Sequence, residues 1–206
     1  MNIRKADKTD IPFIVNAIVE IESFSGTNTF NKLFGTDTET TKNYLERFLN
    51  DDENFDTEFS LNTYTVVEFD NQRAACCSIF FTDSFYYQSK SELFAIHLEK
   101  NHLDHFIKNA KSLPDNKKLS SNKFFIEYIF VHKAFRGQRI AGKLIDYQIS
   151  KVTVEKVYIN VLENNENAFN AYKKLGFKEY KKVKVNQDGN RIYPTDNKNI
   201  LIKKIN

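Results

Sequence analysis

Glycine is scarce in this chain, with six in 206 residues, where ordinary usage of about 7% gives roughly fourteen. Cysteine is scarcer: there are two, Cys76 and Cys77, side by side in an apolar run. Neighbours on a strand point to opposite faces, which excludes an ordinary disulfide between them. No metal-type cysteine spacing exists either, and a reduced, cytoplasmic protein is the natural expectation. No run of 18 apolar residues occurs, so no membrane-spanning helix is expected. The first ten residues, MNIRKADKTD, are charged and lack the apolar stretch of a signal peptide. Charge of one sign is also lacking: 30 Lys and Arg face 27 Asp and Glu, a net +3. That balance argues against a general nucleic-acid or membrane-surface binder. Two phosphate-binding signatures are missing, G-x-x-x-x-G-K-[ST] and G-x-G-x-x-G. Tryptophan is absent, which we read as compositional bias.

What is present is a core. Hydrophobic residues make up 41% of the chain and aromatic residues 14%, with 19 Phe and 10 Tyr. The length favours one domain, residues 1–206, carrying an insertion at about 83–123. NIRKA reads as a strand, and Thr9 or Asp10 can cap a helix over about 10–23 with Pro12 in its first turn. Residues 23–37 read as a loop, and 38–50 as a helix with Tyr44, Leu45, Phe48 and Leu49 on one face. TYTVVEF and RAACCSIFF form a hairpin across DNQ. The insertion shows apolar spacing for one helix, with a break near Asn101 and an end at Pro114. PDNKKLSSNK reads as polar loop. Then come a strand at 124–131, a helix at about 138–151, a strand at 156–162 and a helix at about 165–175. FKEYKKVKV and NILIKKI close the chain as strands, with a turn at QDGNR. A hairpin early and a strand–helix–strand crossover later predict a mixed sheet with helices on both faces.

Two of the six glycines, Gly137 and Gly142, fall in AFRGQRIAGKL at a strand-to-helix junction, among Arg136, Arg139 and Lys143. A helix N-terminus offers unpaired N–H groups and about half a positive charge, so anions settle there. Gly137 allows a tight turn, and Ala141 and Gly142 allow close approach. The arginines can meet phosphate bidentately. A diphosphate site and an ordinary connection with exposed arginines are equally compatible with this stretch alone. Downstream, VLENNENAFNAYKKLGF places Asn165 as an N-cap, Ala168 and Tyr172 on one helix face, and Gly176 as the C′ residue. Tyr172 alone reads as a core tyrosine.

Together these two segments resemble the GNAT-type N-acetyltransferase superfamily. The loop pattern [RQ]-x-x-G-x-[GA] after a hydrophobic strand ending in Val is met in spirit by VHKAFRGQRIA, at Arg136, Gly137 and Ala141. Arg139 departs from it, standing where glycine is usual. The second pattern, N-x-x-A-x-x-x-Y-x-x-x-G-F, is met throughout by Asn165, Ala168, Tyr172, Gly176 and Phe177. IRKADKTDIPFI also resembles the superfamily's opening strand and helix. The resemblance implies a central, mostly antiparallel sheet with one splayed parallel pair, helices on both faces, and a helical insertion between strands 3 and 4. It implies acetyl-CoA as co-substrate, its pyrophosphate on the amides of Arg136, Gly137, Gln138, Arg139, Ile140, Ala141 and Gly142. The pantetheine arm is expected along Ile129 to Val131, with Asn165 touching it or capping the helix. A backbone N–H near Val131 is placed to hold the oxyanion. Tyr172 is the implied proton donor to the departing sulfur: a phenol with a pKa of about 10 is protonated when a thiol of about 8.5 departs as thiolate. Glu127, the one acid in FFIEYIFV, is the implied acceptor of the amine proton, through water. An outward-facing glutamate, or a partner for a nearby lysine, fits it equally well.

The acceptor is then a small-molecule or peptide amine, with no nucleic acid and no membrane involved, and pairing of two copies stays open. A non-catalytic acyl-CoA-binding sensor, or a longer acyl donor, fits the same motifs. In the insertion, His97, His102 and His105 are too poorly spaced to favour a metal, and the segment is expected to pack an amphipathic helix over the sheet or a partner. His132 is expected to face solvent. The acidic stretch with Asp51, Asp52, Glu53, Asp56 and Glu58 suits a cationic acceptor, and reads first as an exposed loop.

Overall fold

The computed structural model describes residues 1–23, 28–113, 117–185 and 192–205. β1 (Asn2–Lys5) leads through a 3-10 turn into α1 (Ile11–Glu22). α2 (Thr29–Phe34) and α3 (Thr38–Asn50) follow, then the hairpin of β2 (Tyr64–Phe69) and β3 (Gln72–Phe81). Asp70 and Asn71 turn this hairpin with φ of 46° and 63°, the left-handed pair that a two-residue turn requires. α4 (Ser84–His97), α5 (Lys100–Asn109) and α6 (Lys117–Ser120) precede β4 (Phe124–Val131). α7 (Ile140–Ile149), β5 (Lys156–Leu162), α8 (Glu166–Lys174), β6 (Lys178–Lys184) and β7 (Asn197–Lys204) complete the chain.

The strands form one sheet in the order β1-β2-β3-β4-β5-β7-β6, antiparallel except for β4 with β5. This is the mixed architecture expected from the sequence, with its splayed pair and its insertion between strands 3 and 4. Strand alternation sends successive residues into two cores. Cys76 joins the core under α1 to α5, and Cys77 joins the core under α7 and α8; both are free thiols. Much of the aromatic content fills the first core, where Phe48 meets the rings of Phe34, Phe59 and Phe94.

Several local expectations are corrected. Residues 28–35 are not loop: Asn28 caps α2 by accepting from Asn31 N at 3.0 Å, and Phe30, Leu33 and Phe34 are buried by it. The 3-10 turn before α1 is capped by Asp7, whose Oδ1 accepts from Thr9 N at 2.8 Å. Asp10 does stand at the N-cap position, but its buried carboxylate serves other donors: Arg4 at 2.6 and 2.9 Å, Arg73 at 2.6 Å and Asp7 N at 2.9 Å. The helix expected in the insertion breaks into α4 and α5 at Leu98 and Glu99, a little before Asn101, and the extended ψ of 137° and 149° there lets buried Leu98 reach the core. Part of the polar segment before β4 is helical, as α6. Pro114 and the QDGNR turn lie outside the described residues.

Candidate active site

β4 and β5 register at two positions, Phe124 with Val157 and Phe125 with Tyr158, and part beyond them. A bulge in β4 accompanies the parting. Ser78 faces Glu127 and Cys76 faces Phe130, so the single residue Cys77 is opposed by two, Tyr128 and Ile129. Tyr128 absorbs the extra residue at φ 52°, a conformation a tyrosine adopts only where the surroundings impose it. Past the bulge, His132 N donates to Ala74 O at 2.8 Å on the β3 side. Ladder alternation therefore turns the Val131 amide and carbonyl toward the gap from β5. Ile129 and Val131 pack toward the α7 and α8 core, and Tyr128 and Phe130 toward the other.

Glu127 stands beside the fork. Asn160 on β5 donates from Nδ2 to Glu127 Oε1 at 2.5 Å. Glu127 is half-buried and clasped across the two parting strands. Tyr172, on α8, packs against the opposite core, its ring 6.1 Å from Phe177. Burial raises its pKa well above the ordinary tyrosine range, and the charge of Glu127 adds to this. Carboxylate and phenol thus feel one another at the cleft from the two sides of the sheet.

The loop after β4 runs through Lys133–Phe135 as a 3-10 turn, and Arg136 to Arg139 are exposed. Gly137 has φ 83°, which glycine tolerates. Arg139 has φ 59°, the left-handed conformation that explains why glycine is usual there. The N–H groups of Ile140, Ala141 and Gly142, in the first turn of α7, have no intrahelical acceptor. A Cβ on Gly142 would lie 2.9 Å from Leu175 Cδ2, so glycine lets the start of α7 rest on the end of α8. The Arg136 guanidinium turns back: Nε donates to Val131 O at 3.0 Å, and Nη2 lies 3.3 Å from Glu20 Oε1. Asn165 is the cap of α8, accepting from Ala168 N at 3.2 Å. His132 is half-buried and accepts weakly from Ala134 N at 3.4 Å.

The acidic stretch is exposed at Asp52, Glu53 and Asp56, as expected of a loop, and turns inward after them. Thr57, Glu58, Phe59 and Ser60 are buried. Glu58 accepts from Tyr86 Oη at 2.9 Å and from Lys90 Nζ, tying the insertion to the α1–α5 side. Glu58 and Glu127 both raise the pKa of Tyr86, after burial, and Glu22, Glu58 and Glu127 do the same for Tyr128. Three carboxylates and two tyrosines are therefore neighbours on this face. Asp51 is half-buried against His97 Nε2 at 2.7 Å, and Asp52 meets Lys8 at 2.9 Å. His102 Nδ1 lies 2.7 Å from Tyr44 Oη, and His105 packs on Gly35. Among the described residues no three His, Cys, Asp or Glu side chains are grouped to hold a metal, and no helix is long and apolar enough to cross a membrane.

Asn160 and Tyr128 were missed by sequence reasoning, which named Glu58 only as part of the acidic stretch. For Asn160 a signal existed: in KVYINVL it is the polar residue at an inward strand position. For Tyr128, and for the burial of Glu58, none did, since neither a bulge nor an aperiodic loop leaves a pattern.

The family model for the acetyltransferase (GNAT) family matches residues 28–177. The chain belongs to that acetyltransferase family, whose members generally use acetyl-CoA. Comparison with curated proteins finds no match. Among solved structures, an N-acetyltransferase from Staphylococcus aureus Mu50 is similar at TM-score 0.73 and 19% identity, over 98% of this chain and all of the other. An acetyltransferase of the GNAT family from Streptococcus agalactiae 2603 gives 0.58 and 16%, covering 100% of this chain and 95% of its own. A ribosomal-protein-alanine N-acetyltransferase from Brucella melitensis gives 0.57 and 15%, over both chains in full. At these identities the likeness is one of fold.

Proposed function

We propose that this protein is an N-acetyltransferase that moves the acetyl group of acetyl-CoA to a primary amine, of a small molecule or a peptide, by direct attack in a ternary complex. The chain works as one domain, residues 1–206, with the insertion at 83–123. The observation that carries this reading is the cleft where β4 and β5 part, with Glu127 on one side of the sheet and Tyr172 on the other.

In this reading the amides of the loop from Arg136 to Gly142 receive the diphosphate, helped by the opposed peptide orientations that left-handed Gly137 and Arg139 create. The pantetheine arm runs along Ile129 and Val131. Arg136 already meets the Val131 carbonyl, so the arm shares that oxygen's second lone pair or displaces the side chain. The Val131 N–H faces the developing oxyanion. The amine nitrogen attacks the thioester carbon; the N–C bond forms, the C–S bond breaks, and the amine proton passes to Glu127, directly or through water. Tyr172 donates a hydrogen bond to the departing sulfur. Its raised pKa makes full transfer to a thiolate uphill by ~1.4 kcal/mol per unit, so the phenol stabilises charge as it forms, and the sulfur's proton comes from it or from solvent. No cysteine carries the acetyl group, because burial pushes both thiols up and holds them protonated.

A panel of amines assayed for acetyl-CoA-dependent thiol release tests the reading. Release with at least one amine, lost at neutral pH in Glu127→Gln, is expected. Tight acetyl-CoA binding with no release across the panel would identify an acyl-CoA sensor instead.

A further inference from the structure

The backbone ladder between β4 and β5 stops at Phe125 and Tyr158. Continued by two residues, the same register places Glu127 opposite Asn160, and there the two side chains are hydrogen-bonded at 2.5 Å. A side-chain clasp thus stands where the third and fourth rungs are missing. A carboxylate only accepts, so the amide must present Nδ2 to Glu127, which fixes its orientation. Its Oδ1 then points elsewhere. That oxygen is shielded from solvent and accepts no hydrogen bond among the described residues. A shielded acceptor without a donor costs about 1–3 kcal/mol, and native proteins keep few of them.

We propose that Asn160 is a positioning residue for acetyl transfer: Nδ2 holds the Glu127 carboxylate toward the incoming amine, and Oδ1 accepts one N–H of that amine. The inference rests on the acetyltransferase reading above. A neutral primary amine has one lone pair and two N–H bonds. If Glu127 takes one N–H and Asn160 Oδ1 the other, the lone pair is aimed at the thioester carbon. The pair also discriminates: a tertiary amine has no N–H for either acceptor, and a secondary amine satisfies only one. Both residues lie on the α1–α5 face, since Ile126, Ile159 and Val161 beside them point into the opposite core. The acceptor therefore approaches from the side that carries Glu58, Tyr86 and Tyr128.

The experiment is steady-state thiol release with the best amine of the panel across pH, for the wild type, Asn160→Ala, the isosteric Asn160→Asp, Glu127→Gln and the double variant Glu127→Gln/Asn160→Ala. Acetyl-CoA binding is followed by calorimetry. Expected for Asn160→Ala are a fall of about 10- to 100-fold in kcat/KM for the amine, an acid limb moved to higher pH, and unchanged acetyl-CoA affinity. Asn160→Asp keeps an acceptor and the shape but sets a second carboxylate beside Glu127, so its acid limb moves further. The double variant should lose little beyond Glu127→Gln alone, because the two residues act as a unit. An active wild type whose profile Asn160→Ala reproduces, or losses that simply multiply in the double variant, overturns the proposal alone. A wild type that releases no thiol with any amine ends this inference together with the reading it rests on.

Discussion

Tyr172 and Asp10 show how far a single side chain can be argued. Tyr172 is raised by burial and by Glu127, so it keeps its proton through the whole neutral and mildly alkaline range. Tyr172→Phe keeps the ring packing and removes only the hydroxyl. We expect kcat to fall ~100-fold with little change in KM for acetyl-CoA, measured by thiol release. Asp10 is a different case. Burial alone would raise it, but Arg4, the Asp7 N–H and Arg73 outweigh that and hold it below the usual carboxylate range. Asp10→Ala takes the shared carboxylate from two half-exposed guanidinium groups, leaving Arg4 with Glu68 and Arg73 with Thr9, and a loss of ~1–3 kcal/mol is expected in urea unfolding. Tyr172 was legible in the sequence because its neighbours Asn165, Ala168 and Gly176 form a spaced pattern. The role of Asp10 was not, since its partner Arg73 lies 63 positions away and no local signal encodes that meeting.

At the scale of elements, the periodic pieces were legible and the aperiodic ones were not. The helices at Ile11–Glu22 and Thr38–Asn50 and the strands from Tyr64 to Phe81 follow from apolar spacing. α2 escaped notice because six residues are too few for a period to declare itself. The break expected near Asn101 falls at Leu98 and Glu99, where burial of the leucine sets its place. The loop before α7 carries arginine at position 139, where glycine is usual. The left-handed φ of 59° there shows the conformation is one glycine prefers. Arg139→Gly should therefore relieve ~0.5–1 kcal/mol net of the entropy glycine loses, a rise of about 1–4 °C in Tm. An unchanged or lower Tm would mean that the arginine side chain makes up for its backbone.

For the whole molecule, charge is balanced in number but not in its response to pH. Asp37, held by the Thr40 N–H, Glu68 by Arg4 and Glu163 by Lys182 all lie below the ordinary carboxylate range. Asp10 does too, as does Asp51, where His97 outweighs burial. Each contributes stability that is complete above its unfolded pKa of about 4 and is lost as pH falls through the depressed value. Glu22 runs the other way: burial raises it, so its contribution is complete below its unfolded pKa and fades as pH rises. Asp7, held low by the Thr9 hydroxyl and N–H, makes six such groups against one among the described residues, so Tm should be nearly flat around neutrality and drop steeply below about pH 4, a trend thermal melts in a pH series would show. The two register positions between β4 and β5 bear on the molecule's mechanics. They make the sheet two leaves bound along a short spine, with β1 to β4 in one and β5 to β7 in the other. A guest whose amides are spaced like a peptide's would stitch the open margin shut, and the reagent consumed in each turnover would also be the mortar between the leaves. The protein would then be stiffest when loaded and ready to act.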